Sequence, residues 1–203
     1  MRKGMPILLI VLGLLLVGGC MSCNMQKTLV AQDEDVKAKW AEVQNQYQRR
    51  ADLIPNLVAT VKGAANFEKE TYIGVAAERA GRAASNLRNA TNVPADQLDA
   101  ARVQQIQQAG AEAQSAARNL INIAVEAYPQ LRATQNFSDL QVQLEGTENR
   151  VTTARNYYNQ SVQGYNTTVR TFPNNIFAGM LGFQQRSTFT ADAAAQRAPQ
   201  VQF

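Results

Sequence analysis

The chain has 203 residues, 45% of them hydrophobic but only 7% aromatic, with a formal net charge of +4 and a pI near 9.2. It has no histidine, and its two cysteines, Cys20 and Cys23, stand together near the start. A Cys/His zinc site, a Cys-His dyad and a Ser-His-Asp triad are therefore excluded, and the sequence indicates no cofactor. The basic residues are scattered among 16 acids; they read as a solvated helical surface rather than a nucleic-acid-binding one.

Residues 1–23 form a leader. Arg2 and Lys3 precede a run from Ile7 to Val17 that is apolar apart from Gly13, and Gly18-Gly19-Cys20-Met21-Ser22-Cys23 follows. A basic start, an apolar run and small residues before a cysteine describe a lipoprotein signal peptide, cut before Cys20 and acylated there. The alternative is an uncleaved anchor, since Ile7 to Cys23 is at the short limit for a transmembrane helix. Cys23 suits lipidation less well, because Cys20 would occupy the place that prefers an aliphatic residue. On either reading the basic end stays cytoplasmic, and the body lies outside the inner membrane in the cell envelope.

After a short spacer, Asn24 to Lys27, residues 27–173 carry helical periodicity, and nothing from 30 to 172 alternates like a strand. Alanine-rich, glycine-poor sequence favours helix. Helix one is expected from Leu29 to Ala65, with Asp33-Glu34-Asp35 in its early turns, where the macrodipole favours acids. Its stripe, Val36, Trp40, Val43, Tyr47, Arg50, Ile54, Leu57 and Val61, alternates steps of four and three, the coiled-coil pattern. Pro55 lies inside it, and because the stripe keeps its phase beyond that point, a kink near 51–55 is expected rather than a break.

Helix two (Phe67 to Asn89) has a small-residue stripe that favours close approach. Helix three (Ala95 to Ala127) ends at Tyr128-Pro129, since the residue before proline is pushed away from helical angles. Helix four begins near Ser138, which can form a capping box with Gln141. Its stripe runs from Phe137 through Leu140, Leu144, Thr147, Val151, Ala154, Tyr158, Ser161 or Val162, Tyr165 and Val169 to Phe172, and Pro173 stops it. The fold class is thus all-α: an antiparallel up-and-down bundle of four long helices behind an N-terminal membrane segment, with helices one and four as its spine. The tail, 174–203, holds an apolar patch from Ile176 to Phe183, which either packs on the bundle end or contacts membrane or a neighbouring subunit.

Arg50 is the one charged residue in the helix-one stripe. A buried guanidinium must find a carboxylate or several carbonyls. The antiparallel arrangement nominates Glu148, with Asp52 as an alternative off the stripe. Such a pair would fix register; alternatively Arg49, Arg50 and Asp52 face outward as a docking patch. Paired carboxylates at Glu68 and Glu70, or Glu145 and Glu148, read as solvated surface acids, and the Glu-x-x-His motif of metal-binding bundles needs a histidine.

Several stretches together resemble the LemA family of bacterial membrane-anchored proteins. They are Asp33-Glu34-Asp35-Val36-Lys37 through Trp40, Tyr47-Gln48-Arg49-Arg50-Ala51-Asp52-Leu53-Ile54-Pro55-Asn56-Leu57-Val58, Tyr128-Pro129-Gln130-Leu131, Thr147-Glu148-Asn149, Phe172-Pro173 and Pro199-Gln200-Val201-Gln202-Phe203. The resemblance spans 27–203 and implies a short membrane segment, a bundle of long antiparallel helices and no established enzymatic activity. Many members carry a spanning helix without a cysteine, whereas Cys20 here points to lipid. The expected function is a non-catalytic scaffold acting through helical surfaces, with membrane lipid, further copies of itself (a homo-oligomer) and an unidentified envelope protein as partners. The alternative is a sensor or adaptor bundle that binds a small ligand near Arg49 and Arg50.

Overall fold

The computed structural model describes the backbone of residues 4–64 and 71–190, and the side chains of 24–63 and 72–190. Among the described residues there are five helices and no strand: α1 (Gly4–Ala64), α2 (Thr71–Thr91), α3 (Ala100–Ala127), α4 (Gln135–Arg170) and α5 (Asn174–Leu181). The spine is α1 against α4, and α2 packs on both α1 and α3.

The stripe read in the sequence is the core. Val36, Trp40, Val43, Tyr47, Ile54, Leu57 and Val61 are all at most 1% exposed, and Arg50 is 5% exposed. The α4 stripe is buried from Thr147 to Val169 and at Phe137, whereas Leu140 and Leu144 are half-buried and Phe172 is exposed. Side-chain bonds fix the antiparallel register: Arg50 meets Thr147, and Trp40 packs edge-on against Tyr158. The last turns of α4 therefore lie alongside Leu29, the first buried side chain described in α1.

Several boundaries differ from the sequence expectation. Residues 24–27 are no spacer; the helix is continuous from Gly4, because no proline or glycine interrupts the sequence between Gly19 and Pro55. Asp33 therefore lies far from any helix N-terminus, and a role in complementing the macrodipole falls away. α1 passes through Pro55, an exposed residue, without a break. The expected start of helix two, at Phe67, lies outside the described residues. Helix three starts at Ala100, after a single 3-10 turn at Ala95–Gln97, because the Asp99 carboxylate caps it by accepting from the Arg102 amide at 2.7 Å. The α2–α3 connection is held from α1: Trp40 Nε1 donates to the Val93 carbonyl at 2.7 Å, and Gln44 Nε2 donates to that of Thr91 at 2.7 Å. The Ser138–Gln141 capping box does not form. α4 opens three residues earlier, at Gln135, so Ser138 sits inside the helix and Gln141 donates to Glu145 instead.

After α4 the short α5 packs on α1 and α4. Gly182, at φ 79°, ends it in the left-handed region, and the Phe183 amide donates to the Ala178 carbonyl at 2.9 Å. The chain then returns along α4 as an extended strap, residues 183–190. Two asparagines seven positions apart on α4 grip it. Asn166 exchanges two hydrogen bonds with the backbone of Arg186, and Asn159 does the same with Phe189, each at 2.8 or 2.9 Å. Arg186 closes a nearly buried ion pair with Asp33 at 2.8 Å, and Phe189 is buried against Trp40 and Tyr158. Thr190 reaches across to α3, where Gln107 Nε2 donates to its carbonyl.

Candidate functional site

α3 and α4 touch little along their lengths. The strap bridges them around Thr190, and the seam continues toward Pro129 and Phe137. There a cavity of about 230 Å³ is lined by Arg50 and Ile54 of α1, Gln114, Ala117, Arg118, Ile121 and Asn122 of α3, and Gln141, Leu144, Glu145 and Glu148 of α4. It runs into a wider groove that shares Ile121, Asn122 and Gln141 and continues to Pro129 and Phe137. Small residues leave the space: Ala117 faces it, and Gln141 and Leu144 stand where the α4 stripe thins.

Arg50 forms the inner wall. Its Nε donates to Thr147 Oγ1 at 3.2 Å, and its Nη1 donates to the Gly110 carbonyl at 3.5 Å, near the outer limit of a hydrogen bond. No carboxylate among the described residues forms an ion pair with it. Burial pushes the guanidinium's pKa down, against the opposing fields of Tyr47 and Glu148. The approach of α1 to α3 depends on Gly110, because a Cβ there would lie 2.8 Å from Tyr47 Cε1.

The residues nominated from sequence are thus dispersed. The Arg50–Glu148 pair does not form: Glu148 accepts from Arg118 across the α3–α4 seam. Asp52 faces outward and pairs with Arg88 of α2 at 2.7 Å, while Arg49 is exposed. Arg49, Arg50 and Asp52 therefore make no common patch; within one helical turn Arg50 points inward and the other two outward. Cys20 lies outside the described side chains. Gln114, Arg118 and Asn122 were not singled out from sequence, and Gln141 was named only as a capping partner; the run of polar residues and alanines along α3 is the signal that marks a place where packing leaves room. The strap was missed as well. Among its contacts, burial raises the Asp33 carboxyl, but hydrogen bonds from Arg186 and Lys37 outweigh it and leave the group below its ordinary range. Burial drives Tyr158, which donates to the Ser187 carbonyl, up to about 12.

Among the described residues no group of three His, Cys, Asp or Glu side chains could hold a metal ion, and no helix is long and apolar enough to cross a membrane. The side chains of the leader, where a membrane segment was expected, are not among them.

These features define an all-helical antiparallel bundle with a strap along its spine and a cavity against a buried arginine. The LemA family model matches residues 39–203, and the chain belongs to the LemA family. No curated protein matches it.

Proposed function

We propose that this chain is a non-catalytic scaffold attached to the bacterial envelope membrane, its bundle extracytoplasmic, acting through helical surfaces and self-association. The observation that carries the reading is an exposed apolar set: Phe172 before α5, and Ile176, Met180 and Leu181 on it, with Phe172 75% and Met180 79% exposed. α5 packs at the end of the bundle from which α1 runs back toward Gly4, and the sequence from Ile7 to Val17 is apolar. A lipid surface at that end takes both apolar elements out of water together.

The test uses the full chain in vesicles containing brominated lipid. Met180→Trp fluorescence is quenched, whereas Val142→Trp, near the opposite end of α4, is not. Equal quenching of the two overturns the membrane placement. Intact mass beginning at acylated Cys20 or at Met1 decides the form of attachment, and a monomer by light scattering across the concentration range in detergent overturns self-association.

A second reading is favoured by the cavity at Arg50: a bundle that binds a small ligand. Stabilisation of the chain by small carboxylates or phosphate in a thermal-shift screen supports it, and a silent screen across anions and zwitterions removes it.

A further inference from the structure

We propose that the α3–α4 cavity is a binding site for a small zwitterion, an α-amino acid with an apolar side chain, whose carboxylate seats on Arg50. The proposal rests on the ligand-binding reading above and names the ligand that reading leaves open.

Three features of the cavity select this chemistry. The first is Arg50 itself. It is 95% buried by its 5% residual exposure, it lines the cavity, and two hydrogen bonds occupy only part of its five-donor fork. A buried guanidinium without a carboxylate is a seat for an anion, and its planar fork matches a carboxylate in two parallel bonds. The second is the opposite charge on the α4 wall. Glu148 is already matched by Arg118, while Glu145 receives only the neutral amide of Gln141. A plain anion entering from solvent meets the unneutralised Glu145 on its way to Arg50, whereas a molecule carrying an ammonium as well satisfies both. The third is the remaining surface: Ile54, Ala117, Ile121 and Leu144 supply an apolar wall, and Gln114, Asn122 and Gln141 supply neutral donors and acceptors. The inner space is about 230 Å³, below the roughly 300 Å³ at which drug-sized pockets begin, so the group seated on Arg50 is small.

Arg50 can be changed without leaving a buried polar orphan. Thr147 Oγ1 also donates to the Leu144 carbonyl at 2.6 Å, and the Gly110 carbonyl lies within the α3 ladder. Arg50→Met should therefore fold. A second variant, Leu144→Trp, fills the cavity from a half-buried position and leaves Arg50 in place.

The experiment is calorimetric titration of the full chain in detergent with L-leucine, with 4-methylpentanoate, which lacks the ammonium, with 3-methylbutylamine, which lacks the carboxylate, and with phosphate. Leucine binds best, 4-methylpentanoate at least tenfold more weakly, and the amine and phosphate without measurable heat. Arg50→Met and Leu144→Trp each weaken leucine at least tenfold with far-UV circular dichroism unchanged. Glu145→Gln narrows the gap between leucine and 4-methylpentanoate. Equal affinity for leucine and 4-methylpentanoate, or leucine binding that survives Leu144→Trp, overturns the proposal. Binding of 4-methylpentanoate or phosphate without leucine refutes the amino acid but keeps a ligand-binding bundle. Silence from all four compounds refutes the amino acid, and the ligand-binding bundle falls with it when the thermal-shift screen is silent as well.

Discussion

Phe189→Ala should release the strap while the bundle stands. The eight residues from Phe183 to Thr190 have no regular secondary structure, and ordering their backbone costs roughly 1–2 kcal/mol each, on the order of 10 kcal/mol together. The four hydrogen bonds from Asn159 and Asn166 contribute about 0.5–1.5 kcal/mol apiece, too little to hold the segment alone. Phe189 makes up much of the difference. It is 5% exposed, stacked on Trp40 at 6.3 Å and 26° and edge-on to Tyr158 at 5.5 Å and 72°, with the Arg155 guanidinium 4.8 Å from its ring centre. Truncating a phenylalanine so enclosed costs about 3–5 kcal/mol. That loss turns a net-favourable strap into an open one. Trp40 is the only tryptophan in the sequence, so its fluorescence reports this event directly. In Phe189→Ala, Trp40 emission shifts to the red and becomes accessible to acrylamide at temperatures where far-UV circular dichroism still shows a folded bundle. Identical Trp40 emission, with one transition at the wild-type temperature, would refute the reasoning.

Gly110→Ala sets two effects against each other. Alanine gains about 1 kcal/mol in helix propensity, but its Cβ meets the Tyr47 ring at 2.8 Å, and overpacking typically costs about 1–3 kcal/mol; the melting temperature falls, and a rise would show that Tyr47 yields freely. The Asp33–Arg186 pair makes stability acid-sensitive. Because the folded Asp33 carboxyl is held below its ordinary value, the contribution is present above the unfolded pKa and is lost as pH falls through the folded one, so denaturant midpoints decline below about pH 4, and less steeply in Asp33→Asn. At the alkaline end Tyr158, raised to about 12, contributes stability that is full below its ordinary value near 10 and lost as pH climbs toward 12. A spectrophotometric tyrosine titration should show a late ionising group that is missing in Tyr158→Phe.

The spine was legible because its determinants are local and periodic. Eight heptad positions on α1, read as one face, are one buried face, and proline signals at Pro129 and Pro173 end the helices they were expected to end. What escaped depends on partners remote in sequence. Asp33 looks like a first-turn acid until the helix proves to start at Gly4; its actual partner, Arg186, is 153 positions away. The strap has no periodicity of its own, yet α4 carries its imprint: Asn159 and Asn166 each follow a stripe tyrosine, Tyr158 and Tyr165, by one position. That polar row beside an aromatic one marks a helix edge that grips backbone as well as core. Gly110 shows the same limit, since a glycine within a polar helical stretch reads as a weakness, and only the Tyr47 ring above it reveals why alanine would be worse.

The cavity beside Arg50 follows from how α3 and α4 meet. In an up-and-down bundle each helix seals against two neighbours, but here α3 and α4 are held apart, and a segment from beyond α5 bridges them around Thr190. Above that point, aromatic rings and asparagine amides complete the interior. Below it, the α4 stripe falls to the half-buried Leu140 and Leu144 and α3 presents Ala117, so among the described residues the seam is crossed there by the Arg118–Glu148 pair rather than by packed apolar side chains. A charge in a heptad seam is tolerable where water or a ligand can reach it, and Arg50, beside Ile54, is the charged stripe position that lines this opening. An aliphatic residue at position 50 together with a larger one at 117 would seal the core on ordinary packing grounds. The sequence instead combines a buried guanidinium, a small neighbour and carboxylates at the rim, the arrangement on which the proposed ligand site rests.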